Sequence, residues 1–147
     1  VKMKNRYDDL NKFLESIHMG SKITKIYKDK TESKEVIALL DEVIATFKKH
    51  EENVSEQISK HDVNPCEDLS AGKEMIVWME RMKNLKESFD VGIELLKAIN
   101  MGTSKGLEFI YEHDDYDNET TKCLKDVIKD YSYLYTKVTN YITDKYI

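Results

Sequence analysis

From Val36 to His61 the chain sets Val36, Leu40, Val43, Phe47, His50, Val54, Gln57 and His61 in alternating steps of four and three. That rhythm places every one of them on one side of an α-helix, whereas in a strand they would scatter over both faces. The flanks agree. TESKE (31–35) offers Thr31 and Ser33 as helix N-caps. DVNPCED (62–68) stops the helix and holds Pro65, the only proline in the chain. With only five glycines besides, the sequence has little turn punctuation, which suits long helices and few connections.

The same rhythm recurs along the chain. From Asn5 to about Lys30 the apolar positions are Leu10, Phe13, Leu14, Ile17, Thr24 and Tyr27. The segment LSAGKEMIVWMERMKNL (69–85) carries Met75, Ile76, Trp78, Met79, Met82 and Leu85. After a break near Lys83 to Ser88, a further helix carries Phe89, Ile93, Leu96, Ile99, Thr103, Leu107 and Ile110. The loop HDDYDNE (113–119) supplies a cap at Asp117 or Asn118. The last helix, about Glu119 to Tyr146, has the stripe Leu124, Val127, Ile128, Tyr131, Leu134, Tyr135, Val138, Tyr141 and Ile142. The fold class is therefore all-α.

One phrase is written twice: IHMGS at 17–21 and INMGT at 99–103. The likeness extends over the next helix, where Leu40, Val43, Ile44, Phe47 and Val54 align with Leu124, Val127, Ile128, Tyr131 and Val138. The offset grows from 82 to 84, a two-residue difference in the turn between helices. This reads as two repeated helical hairpins, 5–61 and 88–146, in a single domain spanning 1–147. The segment 69–85 is then a crossover helix, since a helix of about 18 residues spans about 27 Å and returns the chain along the bundle. Two hairpins joined by such a crossover make an up-down four-helix bundle of ferritin-like topology. A close crossing of backbones explains the glycine of each copy, which otherwise costs a helix interior about 1 kcal/mol.

With LNKFLESIHMGSKITKIY at the front of a hairpin–crossover–hairpin order, the chain resembles a bacterial ferritin-like family of unknown function from about Asp9 to Tyr141. The resemblance implies the four-helix bundle and hands over no activity.

Ferritin-like metal proteins place a Glu on each of two helices and a Glu-x-x-His on each of the other two, all pointing inward. The chain has one such motif, Glu15-Ser16-Ile17-His18, matched in the repeat by Lys97-Ala98-Ile99-Asn100. At about 100° per residue, Glu15 points about 170° away from the apolar face, so the motif reads as a surface coincidence. His50 lies on the buried stripe with Glu51 at its flank. It is either a metal ligand or a core histidine satisfied by a carboxylate or by the hydroxyl of Tyr131 or Tyr135. The candidate metal residues are thus His50, Glu51 and His18, for iron. The roughly four to six inward ligands of a di-iron site are not in the stripes, so no cofactor is expected.

Several functions are disfavoured. The net charge is −5, and only Arg6 and Arg81 of the 23 basic residues are arginine, against a nucleic-acid face. No apolar run approaches the ~18 residues of a membrane span, and VKMKNRYDDL has no hydrophobic signal core. Cys66, taken as exposed beside Pro65, and Cys123 read as reduced thiols in a cytoplasmic protein. Neither has the neighbours of a nucleophile. The acidic loop 112–117 does not fit a calcium loop. The expectation is a non-enzymatic binding or structural module. Met75, Trp78, Met79 and Met82 of the crossover form its candidate surface for a protein partner or a second copy. The alternative is an iron-binding oxidoreductase or metal store built on an incomplete site around His50.

Overall fold

The computed structural model describes residues 5–67, 73–83, 85 and 87–147. A single 3₁₀ turn, Arg6–Asp8, precedes five helices: α1 (Leu10–Lys30), α2 (Lys34–Lys60), α3 (Lys73–Met82), α4 (Ser88–Glu112) and α5 (Asn118–Tyr146). Among the described residues there is no strand, and no helix is long and apolar enough to cross a membrane.

The helix ends follow from local chemistry. Ser33 Oγ accepts the Val36 N–H and opens α2; Asp117 Oδ1 accepts the Thr120 N–H at 2.7 Å and opens α5. At the other end of α2, Asp62 takes the left-handed conformation, φ 63°. Its N–H donates to the Ser59 carbonyl and that of Val63 to the Ile58 carbonyl, the Schellman pattern usually closed by glycine. Pro65 therefore lies beyond a stop already made.

Polar contacts fix the helix directions. Asn5 Nδ2 donates to the His61 carbonyl and Asn11 Nδ2 to the Asn64 carbonyl, so the start of α1 lies beside the end of α2. Arg6 meets Asp115, and Tyr116 Oη donates to the Arg6 carbonyl, so α4 ends and α5 starts at that same end. The opposite end brings Thr31 to Ser88, hydroxyl to hydroxyl at 3.5 Å. Helices α2 and α4 thus run parallel, and the segment between them must travel the length of the molecule. Each long helix packs on two others, α1 on α2 and α4, α5 on α4 and α2, and α3 lies against α1.

An ion-pair ladder sets the α2–α5 register: Glu35 with Lys145, Glu42 with Lys137, Lys49 with Asp130 at 2.7 Å and Lys60 with Glu119 at 2.7 Å. The first three α2 members are spaced by seven, two helical turns. Exposed pairs of this kind add little stability individually, but a shifted register would lose them together.

The core runs through all five helices. Leu10, Leu14 and Ile17 of α1, Leu40, Val43 and Val54 of α2, and Leu124, Val127, Leu134 and Val138 of α5 are at most 1% exposed. Two expected stripes need correcting. On α4 the buried face is Val91, Gly92, Leu95, Ile99 and Gly106, while Leu107 is 53% exposed. Glycine has no side chain to mark a contact face, so the face that packs at Gly92 and Gly106 lies to one side of the apolar stripe. On α5, Tyr135 is exposed, just past the edge of the face centred on Tyr131 and Leu134.

Candidate functional site

His18 and Glu51 meet across the α1–α2 hairpin. His18 Nδ1 makes a very short contact with Glu51 Oε2, and Nε2 lies 3.1 Å from the Cys66 carbonyl oxygen. A carbonyl only accepts, so Nε2 carries a proton. Both ring nitrogens are thus occupied, and a metal would have to displace one of these contacts. The arrangement straps the segment after α2 onto α1. Asn11 does the same, its Oδ1 accepting the Cys66 N–H at 2.7 Å. Cys66 is half-buried by this strap rather than exposed; burial, with Glu15 nearby, pushes its thiol up to about 11. Glu15 itself is exposed, as the helical wheel requires.

His50 is buried, 1% exposed. Its Nε2 stands 3.0 Å from Asp130 Oδ2 of α5. The oxygen is off the line of the ring N–H, so no well-formed hydrogen bond joins them. Asp130 is instead the acceptor of Lys49 Nζ. Burial pulls the His50 pKa down to about 4, against the opposing pull of Asp130 and Asp126. The imidazole is therefore neutral at pH 7. It lines a surface groove between α2 and α5 that also takes in Gln57, Cys123 and Asp126. The ring of Tyr131 sits edge-on to it at 6.0 Å, and the hydroxyls of Tyr131 and Tyr135 do not satisfy it. Cys123 is also held protonated, burial raising it to about 11.

The mid-level of the four long helices is filled by rings. Phe47 and Tyr131, each near the middle of its helix, lie 5.6 Å apart. Each covers a glycine on the adjacent hairpin helix. A Cβ on Gly20 would stand 2.7 Å from the Phe47 ring, and one on Gly102 would stand 3.3 Å from that of Tyr131. Burial raises the Tyr131 phenol far above its ordinary range. Among the described residues no group of three or more His, Cys, Asp or Glu side chains is placed to hold a metal ion. The three metal candidates are divided: His18 and Glu51 face each other between α1 and α2, while His50 faces α5.

Sequence reasoning missed a clasp where the start of α1 and the end of α2 meet the turn between α4 and α5. Tyr7 stacks on His61 at 3.5 Å, and His113 stacks on Phe109 at 3.9 Å. His61 Nε2 is 3.0 Å from Asp117 Oδ2, and His113 Nε2 is 3.6 Å from Asp9 Oδ2. Tyr7 Oη and Gln57 Oε1 both meet Thr120, which is fully buried. Each of the four histidines therefore faces a carboxylate on a different element. The only sequence signal was their position at helix ends and on buried faces; pairing across helices has no local signature.

The crossover face divides. Trp78 and Met82 are 3% and 1% exposed and pack inward, so neither belongs to a docking surface. An amphipathic helix on the outside of a core buries its largest side chains first. Met79 is exposed, together with Ile76 and Val77. The Met75 side chain lies outside the described residues, as do 69–72 and 84 of the expected 69–85 helix. Compared with family models, curated proteins and solved structures, the chain has no significant match in any of the three.

Proposed function

We propose that this chain is a non-enzymatic binding or structural module on a ferritin-like frame, an up-down four-helix bundle of two repeated hairpins joined by a crossover helix, akin to the bacterial family of unknown function. One observation carries the reading. At the level where such a frame would hold inward carboxylates and imidazoles, Phe47 and Tyr131 pack ring against ring, each over the glycine of its own hairpin. The two contacts involve aligned residues of the repeat, which supports descent of both hairpins from one unit. The unbridged Cys66 and Cys123 fit a cytoplasmic setting. A protein partner or second copy would meet the outward side of α3, at Ile76, Val77 and Met79.

The alternative, an iron-binding oxidoreductase or metal store, has one observation in its favour: His50 Nε2 lacks a well-formed hydrogen bond and has Asp130 3.0 Å away. Thermal unfolding separates the readings. A ligand bound only by the folded chain raises Tm, by about 2.7 kcal/mol of stability at a hundredfold excess over Kd. Under argon, with ferrous or manganous ion in excess, the module keeps its Tm; a rise that grows with metal concentration and disappears in His50→Ala would favour the alternative.

A further inference from the structure

The outward side of α4 changes character near its C-terminus. Leu107 is 53% exposed and Tyr111 86%. They stand four residues apart, so both lie on one side of the helix, and the exposed Glu108 and Glu112 adjoin them. Single exposed apolar residues are ordinary; a contiguous pair rimmed by charge marks a contact surface. Tyr133, another exposed tyrosine, shows the difference. Its hydroxyl donates to Glu42 and its ring takes the ammonium of Lys137. Tyr111 has no such engagement among the described residues.

The rim is acidic, and it stays acidic when the neighbouring cations are set against it. Glu108, Glu112 and Asp114 form no ion pair among the described residues. Asp115 is taken by Arg6 at 3.4 Å. On α4 itself, Lys105 already has a partner. On α5, Lys122 is held by Asp126 at 3.8 Å, while Lys125 is exposed and unpaired among the described residues. Lys12 of α1 and His113 both face Asp9. Were Lys125 to turn to one of the unmet carboxylates, the others would remain. The helix end adds to them. Lys28, Lys30, Lys60, Arg81 and Lys145 stand in the last turns of α1, α2, α3 and α5, and α4 has no basic residue in its own. There the His113 Nδ1–H donates to the Phe109 carbonyl, and the negative end of the helix dipole favours a further cation.

We propose that this face of α4 docks a basic amphipathic helix of a partner protein. The partner's apolar side chains lie against Leu107 and Tyr111, and its lysines or arginines meet Glu108, Glu112 and Asp114. A second copy fits poorly, since a chain of net charge −5 brings like charge to an acidic face. The contact is small and therefore weak and reversible. It lies on a different helix from Ile76, Val77 and Met79. It also makes no use of the packed middle of the bundle, so it can fail while the metal-free reading stands.

The probe is an amphipathic leucine–lysine peptide of about five helical turns, tagged with fluorescein and titrated with the intact protein. Peptide anisotropy gives the affinity, and amide NMR of the protein gives the place. The expected result is saturable binding with amide shifts concentrated in residues 104–115. Tyr111→Ser and Glu112→Lys each weaken it about fivefold or more. Glu52→Lys on α2, across the bundle, makes the same change in net charge and alters affinity by less than about twofold. All three positions are exposed, so the variants melt like the parent. A peptide with serine in place of leucine binds several-fold more weakly. Absence of saturable binding would overturn the proposal, as would amide shifts centred elsewhere or undiminished binding by Tyr111→Ser. Equal weakening by Glu52→Lys and Glu112→Lys, or equal binding of the serine peptide, would reduce the effect to bulk charge and overturn it too.

Discussion

Burial makes His50 a poor base, and the consequence for stability has a definite sign. In the unfolded chain the imidazole titrates near 6.5; in the fold it does so at about 4. Between those values the unfolded state binds more protons, so stability is complete above pH 6.5 and falls as the pH drops toward 4. His50→Leu removes that linkage. Comparing parent and variant by urea unfolding at pH 7 and pH 4.5, we expect the variant to lose less stability on acidification by about 2 kcal/mol. An equal loss in both would mean that His50 does not titrate as its burial requires. Asp62 gives a second prediction at this scale. Its left-handed backbone favours glycine, so Asp62→Gly raises stability by about 0.5–1 kcal/mol, measured by the same unfolding curves. His50 was legible in the sequence because it keeps step with Phe47 and Val54. Its neighbour Asp130 was not, since a charged residue on the flank of a stripe looks like any solvated surface residue. His18 hid beside Ile17, which alone seemed to account for that turn.

At the level of the elements, the two glycines of the repeated phrase make unequal predictions. Gly20→Ala places a Cβ 2.7 Å from the rigid ring of Phe47. Overpacking outweighs the helix propensity gained, and a loss of about 1–2 kcal/mol follows. Gly102→Ala meets Tyr131 at 3.3 Å, and a small ring movement suffices; stability stays within about 0.5 kcal/mol of the parent. Thermal melts of the two variants side by side decide it, and a larger loss at Gly102 would contradict the packing described. The helices themselves were legible because α2 and α5 each bury one broad stripe and open on Ser33 and Asp117 caps. Helix α4 was misread where its contact face is made of Gly92 and Gly106. The ladder from Glu35–Lys145 to Lys60–Glu119 was invisible, because ion pairs between helices depend on a register that single-helix periodicity does not carry.

For the whole molecule, the all-helical make-up was legible in the sequence, and parallel α2 and α4 oblige the chain to return between them. What escaped was the end clasp, where Tyr7, His61, His113 and Tyr116 come together from segments far apart in sequence. The inward positions Phe47, Leu124, Val127 and Tyr131 were legible because they keep helical step, and all four are buried. The proposed module has its middle packed with the rings of Phe47 and Tyr131 rather than with a metal centre. Anaerobic Fe(II) titration, then oxygen and an absorbance scan, tests it most directly, with His50→Ala alongside. We predict no saturable uptake and no oxidised-iron absorbance in either protein. Saturation near two irons per chain, lost in His50→Ala, would overturn that reading and make this an iron protein.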